Sequence, residues 1–514
     1  MLQQSASHKR ELDPYEKPIL PQLDERRLSK IAVLDVGSNS VRLVVFDGAA
    51  RSPSYFYNEK LMCRLGEGLS TTGHLNPDGK ERAISAIRRF KFLTESMGIK
   101  EVTAVATAAV RNAKDGLEFC QQVFEQTGQN IWVIDGTEEA HLAAQGVLLG
   151  WPGSYGLVCD LGGSSMELAE INHGLVGSTI TSDLGPLKLQ ELEGGPITRQ
   201  AYIQKTIRRL RDAIGLQQNR LFLVGGSWRA LARVDMQRTD YPLRVLHEYR
   251  MGRSSVIKTL AFVEEIGLEA LQELCGISNS RMSLLPYAGE VLRELLEVFE
   301  PKDIAISSYG LREGLLYQQM SDDIRARDPL IEACKMSEIK DARVPGMGKS
   351  IYNFARPLFS DASPDLLRII RAACLLHDVS WRAHPDYRAQ VCFDNATRAN
   401  LGGLKHSERM FLAIALMHRY TNKRDDDFFS WMFRIVNGDE VKSAEILGKA
   451  MRLGAMLWVS DDVGQAELHW NERTRNLQLL LPGAASALYG EVAEIRLQSL
   501  ASALKAQSHG VSAI

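Results

Sequence analysis

The stretch IAVLDVGSNSVRLVVF, residues 31 to 46, sets an apolar run, a turn of glycine and small polar residues, and a second apolar run carrying Arg42 just past the turn. Such a turn is either an ordinary hairpin connection or a cradle for an anion. Backbone N–H groups in glycine- and serine-rich turns converge on phosphate oxygens, and serine hydroxyls add further donors. The theme returns in YGLVCDLGGSSMELAEI, where Asp160 matches Asp35, Gly162 matches Gly37, Ser165 matches Ser40 and Leu168 matches Leu43, at an offset of 125 residues. A strand-ending aspartate at the same register in both places reads as an internal duplication. The copies differ informatively: the first carries Arg42 where the second carries Glu167. Arginine clamps phosphate through charge-assisted hydrogen bonds. Glutamate repels it unless a metal ion or an attacking water lies between. The alternative makes both residues solvent-facing strand positions. On the functional reading, Gly37, Ser38, Asn39, Ser40 and Arg42 hold phosphate from one side, Gly162, Gly163, Ser164 and Ser165 hold it from the other, and Glu167 organises metal or water.

Three further segments carry chemistry-capable residues. In DGTEEAH, Glu138 and Glu139 are either favourable first-turn acids of a helix or include a carboxylate whose pKa is raised by bound phosphate, suiting it to deprotonate water. In VATAAVRNA, Arg111 follows a buried strand at a sheet edge, where ligands bind in α/β folds. In FLVGGSWRALA a strand runs into Gly225, Gly226 and Ser227 and then a helix, which suits an anion at the helix N-terminus. The second half of the chain offers His377 beside Asp378, with His384, His406 and His418 downstream, residue types able to bind metal but equally common as packed core histidines.

Positioning these residues requires alternating strands and helices. Two strands lie over residues 31 to 46, a third in SPSYFYNEK, a helix in LNPDGKERAISAIRRFKFLTESMG, a buried strand in EVTAVATAAV, a helix in DGLEFCQQVFEQTG, a strand in IWVIDG and a helix in TEEAHLAAQGVLLG. This alternation predicts an α/β layer architecture. From about Ser321 the pattern becomes helical. The expected plan is a flexible tail over residues 1–29, α/β domains over 30–148 and 149–320, and a mostly helical region over 321–514 with a small β-containing end from about residue 465. At 514 residues the chain is too long for one core. Its formal net charge of −2 supplies no global field toward nucleic acid or an acidic membrane, so a polyanion would need a local basic channel. The 7 cysteines form no C-x-x-C pair, which predicts reduced thiols and a cytoplasmic protein. No stretch approaches the roughly 18 apolar residues of a membrane helix, and the charged, proline-bearing start has no signal-peptide core.

Six stretches, DVGSNSVRL, VATAAVRNA, DGTEEA, DLGGSSMEL, VGGSWRALA and ISSYGLREGLL, together resemble the motifs of the exopolyphosphatase and guanosine pentaphosphate phosphatase family, in the family's order. That family is a branch of the superfamily of actin, sugar kinases and heat-shock chaperone ATPases. The resemblance covers roughly residues 30 to 318 strongly. It implies two duplicated ribonuclease-H-like domains enclosing a cleft, then a mostly helical HD-like domain. It implies Glu139 as general base, Asp160 and Glu167 as carboxylates that assist it or hold Mg²⁺, and Arg111 with the Gly37–Ser40 turn as phosphate-gripping positions. The implied activity is Mg²⁺-dependent release of terminal orthophosphate from inorganic polyphosphate. Hydrolysis of guanosine pentaphosphate to tetraphosphate is the alternative, and phosphoryl transfer to ADP or another kinase-type reaction is a second. A homodimer is expected, with no nucleic-acid partner. The chain departs from the family pattern at Ser164 and Met166, which replace a third glycine and a threonine. It also lacks the histidine expected in VPGMGKSIYNF, upstream of His377 and Asp378. The expectation is therefore no catalytic metal in the helical domain, whose role would be to extend a basic channel lined by Lys405, Arg409, Arg419, Lys423 and Arg424.

Overall fold

The computed structural model describes residues 30–48, 51–99, 102–215, 220–276, 278–422, 434–457 and 466–513. The expected N-terminal tail, Lys423 and Arg424 lie outside them. The chain divides into two compact units: unit 1 comprises Met1–Asp240 and Leu246–Arg327, and unit 2 comprises Tyr241–Val245 and Asp328–Ile514.

Unit 1 holds two sheets built on one plan. In the first, β1 (Ile31–Val36), β2 (Ser40–Phe46) and β3 (Tyr55–Met62) form an antiparallel meander, and β4 (Val102–Ala106) and β5 (Trp132–Val133) add parallel to β1, giving the order β3-β2-β1-β4-β5. In the second, β6 (Gly156–Leu161), β7 (Met166–Asn172) and β8 (Leu175–Ser182) repeat the meander, β9 (Arg220–Val224) joins parallel to β6, and β10 (Arg250–Met251) and β11 (Asp303–Ile306) complete the order β10-β11-β9-β6-β7-β8. The inner strands are nearly continuous runs of Val, Leu and Ile because both of their faces are covered.

One face of the first sheet packs on the helices Pro77–Ser96 and Gly116–Thr127 through Ile87, Phe90 and Phe119. The other packs Val33, Val44 and Val105 against Leu142, Leu315 and Leu316, which belong to the helices Gly136–Gly150 and Leu311–Gln319. Ala140, Ala143, Ala144 and Val147 of the first of these helices pack in turn against Val158, Ala169 and Phe222 of the second sheet. This helix pair is therefore central, and helix Gly136–Gly150 is apolar on nearly every side. The pair touches backbone to backbone. A Cβ at Gly314 would lie 1.8 Å from the carbonyl oxygen of Leu142, and one at Gly146 would lie 2.2 Å from that of Gly310.

Two local departures from the predicted elements matter for the site. The strand expected over EVTAVATAAV ends at Ala106, and Ala108–Asn112 turns helical, as the high helix propensity of its alanines favours; Arg111 therefore sits on a helix. In IWVIDG only Trp132–Val133 is strand, because Asp135 already caps the next helix, its carboxylate accepting from the N–H groups of Thr137 and Glu138 at 2.8 Å each.

Unit 2 surrounds one apolar core with the helices Pro329–Asp341, Met347–Ala355, Pro364–Leu376, Arg388–Arg398, His406–His418, Gly438–Gly454 and Glu491–Leu504. A three-stranded sheet flanks them, in which β12 (Glu467–Asn471) pairs antiparallel with β13 (Asn476–Leu481) and β14 (Ser508–Ala513) pairs parallel with β13. Leu243 joins this core from the Tyr241–Val245 segment. No helix among the described residues is long and apolar enough to cross a membrane.

Candidate active site

The two glycine turns close in the same way: the N–H of Gly37 donates to the carbonyl of Ser40, and that of Gly162 to the carbonyl of Ser165, both at 3.0 Å. They face one another, with the Ser164 hydroxyl donating to the Ser38 hydroxyl at 3.0 Å. Ser164 is thus the bridging residue. Met166 is fully buried and stands opposite Leu161 on the neighbouring strand. Among the described residues, the backbone N–H groups of Ser38, Asn39, Gly163 and Ser164 donate to no protein acceptor. Free amide donors at two opposed turns suit an anion gripped from both sides.

Strand register sorts the charge on either side. In the first sheet Asp35 stands opposite Arg42, which stands opposite Lys60. In the second Asp160 stands opposite Glu167, which stands opposite Thr181. The first row is mostly basic and the second acidic. Arg42 donates to Asn58 at 2.8 Å, and its guanidinium is pulled down to about 10 by burial and then by the charges of Arg312 and Arg229. Lys60 is pulled down to about 8 by burial and by Arg281, Arg42 and Arg312. Arg312 donates to Asp35 at 2.8 Å. Arg229 donates to the carbonyls of Gly225 and Ser308 at 3.0 and 3.2 Å. Gly225 holds φ +121°, and a Cβ there would meet the Leu161 carbonyl oxygen at 2.5 Å, so only glycine lets this turn approach the strand end at Asp160. Gly226 and Ser227 then open the helix Gly226–Arg238, whose first N–H groups have no intrahelical partner.

Glu139 lies in the first turn of the central helix and is buried. Arg111 donates to it at 3.1 Å and to the Ile134 carbonyl at 2.9 Å. Burial raises the Glu139 carboxyl to about 7; Arg111 opposes this, and the charges of Asp160 and Asp35 add to it. Asp160 is raised to about 6 by burial, against Arg229 and Arg312. Glu167 is raised well above the carboxylate range by burial and by the negative charges of Glu139 and Asp160. One of its oxygens accepts from Thr181 at 3.1 Å, and the other, Oε2, is buried with no partner. The three carboxyls thus form one electrostatic group.

Every site residue named from the sequence in this half lies in this one region of unit 1. Lys60, Arg229, Arg281 and Arg312 were missed, although Arg229 and Arg312 stand inside the VGGSWRALA and ISSYGLREGLL stretches. Glu313, beside Arg312, accepts from the Gly310 N–H and from Tyr55 at 2.8 and 2.9 Å.

The residues picked out in unit 2 behave differently. Arg409 is no channel lining: it is buried and donates to the carbonyls of Ala396, Ala399 and Leu401. Lys405 is exposed and pairs with Glu408 at 3.4 Å. His406 and His418 are buried against Tyr241 and the Thr421 carbonyl, and His384 is exposed beside Asp386. His377 is buried and lowered to about 4 by desolvation and by the charge of Arg419. Asp378 is forked by Arg343, the residue just before VPGMGKSIYNF, with Nε at 2.8 Å. No three His, Cys, Asp or Glu side chains among the described residues converge to hold a metal ion.

Residues 44–323 match the model of the Ppx/GppA phosphatase family, and residues 342–509 match that of the exopolyphosphatase C-terminal region. Retrograde regulation protein 2 of Saccharomyces cerevisiae is 24% identical over 482 residues, covering 83% of this chain and 79% of its own. Among solved structures, an exopolyphosphatase from Cytophaga hutchinsonii is similar with a TM-score of 0.51 and 20% identity, over 56% of this chain and 97% of that one. The Aquifex aeolicus PPX-GPPA enzyme is similar with a TM-score of 0.49 and 25% identity, over 56% and 99%. With more than half its length under the first model and the opposed turns, basic row and acidic row in place, this chain belongs to the Ppx/GppA phosphatase family.

Proposed function

We propose that the protein is an exopolyphosphatase, hydrolysing the terminal phosphoanhydride bond of inorganic polyphosphate to release orthophosphate. The observation that carries this reading is Glu139: a buried carboxyl raised to about 7, held by Arg111 in the same electrostatic group as the strand ends behind both glycine turns. A base with that pKa takes a proton from water near neutral pH. The water attacks the terminal phosphorus, the bond to the chain oxygen breaks, and the shortened chain leaves. The turn amides and Arg111 stabilise the charge that shifts onto the phosphoryl oxygens. Asp160 and Glu167 would hold Mg²⁺. Hard carboxylate oxygens and the bare Glu167 Oε2 suit an ion that takes one or two carboxylates and completes its shell with water and phosphate oxygens. When bound, it neutralises phosphate charge and positions the chain. The cluster of Arg42, Lys60, Arg229, Arg281 and Arg312, each lowered by burial or by its neighbours' charge except Arg312, which Glu313 and Asp35 hold up against burial, favours a long polyanion over a substrate with one phosphate tail. The two duplicated sheets fit ribonuclease-H-like domains enclosing the cleft, and unit 2 fits the HD-like domain.

The test offers long-chain polyphosphate and guanosine pentaphosphate separately to the purified protein with Mg²⁺, with and without ADP. Orthophosphate from polyphosphate, falling at least about 10³-fold in Glu139→Gln while polyphosphate binding persists, is the expected result. Release from the nucleotide alone, or ATP formed without orthophosphate, would replace this reading with nucleotide hydrolysis or phosphotransfer.

A further inference from the structure

We propose that unit 2 carries an anion site of its own, built on Arg419, Arg343 and His377, for a phosphate group bearing one acidic O–H. Arg419 ends the helix His406–His418 and is only 7% exposed. Its Nε is buried with no hydrogen-bond partner, and no carboxylate pairs with it among the described residues. Its guanidinium lies 4.8 Å from the centre of the Tyr420 ring. A buried guanidinium without an acceptor is costly unless an anion completes it. The nearby carboxylate, Asp378, is already occupied by the Arg343 fork. Arg452 and Arg496 extend the positive field: Arg452 donates to Asn422 at 2.9 Å and Arg496 to the Arg452 carbonyl at 3.2 Å, and neither has an ion pair among the described residues.

His377 sets the choice of anion. Its Nδ1 lies 2.7 Å from the Cys374 carbonyl, so Nδ1 carries the proton and Nε2 is an acceptor. That Nε2 is buried and unpartnered in a side chain 1% exposed. Tyr420, next to Arg419, donates to the His377 carbonyl at 3.2 Å, and the Arg419 charge acts on the His377 ring, so an orphan donor and an orphan acceptor lie in one neighbourhood and match an oxyanion with both bare oxygens and one hydroxyl. Hydrogen phosphate, or the terminal phosphoryl group of a longer phosphate, has both; sulfate near neutral pH has no proton to give.

The test is calorimetric titration of the full chain without divalent cations, following the phosphate equivalent that survives Arg111→Gln in unit 1. Orthophosphate should bind at least tenfold more tightly than sulfate in the otherwise unmodified protein, a comparison that needs no change in unit 2. Arg419→Met should weaken it roughly ten- to hundredfold, the usual worth of a charge-assisted bond. Asp378→Asn should strengthen it several-fold by removing the competing carboxylate. Binding of tripolyphosphate without orthophosphate would also support the site and would identify its occupant as a chain end. Equal affinity for sulfate and phosphate, or isotherms unchanged by both unit 2 substitutions, would overturn the proposal.

Discussion

Glu139 has a guanidinium 3.1 Å away and yet titrates near 7, because desolvation and two neighbouring carboxylates outweigh one cation. If this group is the base, kcat/KM for polyphosphate should rise with pH along a limb centred near 7. Arg111→Gln should move that limb to higher pH, since the cation that lowers the value is gone; a limb unmoved by this change would separate Arg111 from the base. Stability follows the same values. Folding raises both carboxyls above their ordinary range of about 4, so their contribution is greatest below that range. It is lost as pH rises through about 6 for Asp160 and about 7 for Glu139. Denaturation midpoints of the metal-free protein should therefore fall between pH 5 and about 8, and Asp160→Asn should flatten the acidic part of that fall.

The hairpins were legible because strand period fixes register: once Asp35 and Asp160 end apolar strands before glycine turns, Arg42 and Glu167 must stand opposite them. The approach of Arg111 to Glu139 was not, since it depends on a strand ending early at Ala106 and on the helix cap at Asp135. The basic cluster was hidden for a related reason. Lys60, Arg229, Arg281 and Arg312 come from four separate elements, and only tertiary packing gathers them. In unit 2, amphipathic spacing made Arg409 look like a surface cation, whereas its stem and guanidinium are swallowed by the core, where both Nη groups donate to backbone carbonyls. The central helix pair gives a sharper test at this scale. Gly314→Ala would drive a methyl into the Leu142 backbone and should destabilise unit 1 by at least about 2 kcal/mol, read as a lower urea midpoint. An unchanged midpoint would mean the helices can part without cost.

At the scale of the molecule, two compact units predict two unfolding transitions rather than one. Leu243→Ala, truncating a side chain 4% exposed in the unit 2 core, should lower the unit 2 transition by about 2–5 kcal/mol while the unit 1 transition stays in place. The same segment governs how the protein can be taken apart. Tyr241–Val245 belongs to unit 2 while the chain on both sides of it belongs to unit 1, so the covalent chain passes between the units three times. A cut after Arg327 would leave the first fragment carrying a bare Tyr241 and Leu243, and the second fragment missing part of its own core. Exchanging the C-terminal half among relatives by a single splice should fail for that reason, and a working chimera must carry the five-residue segment along with it.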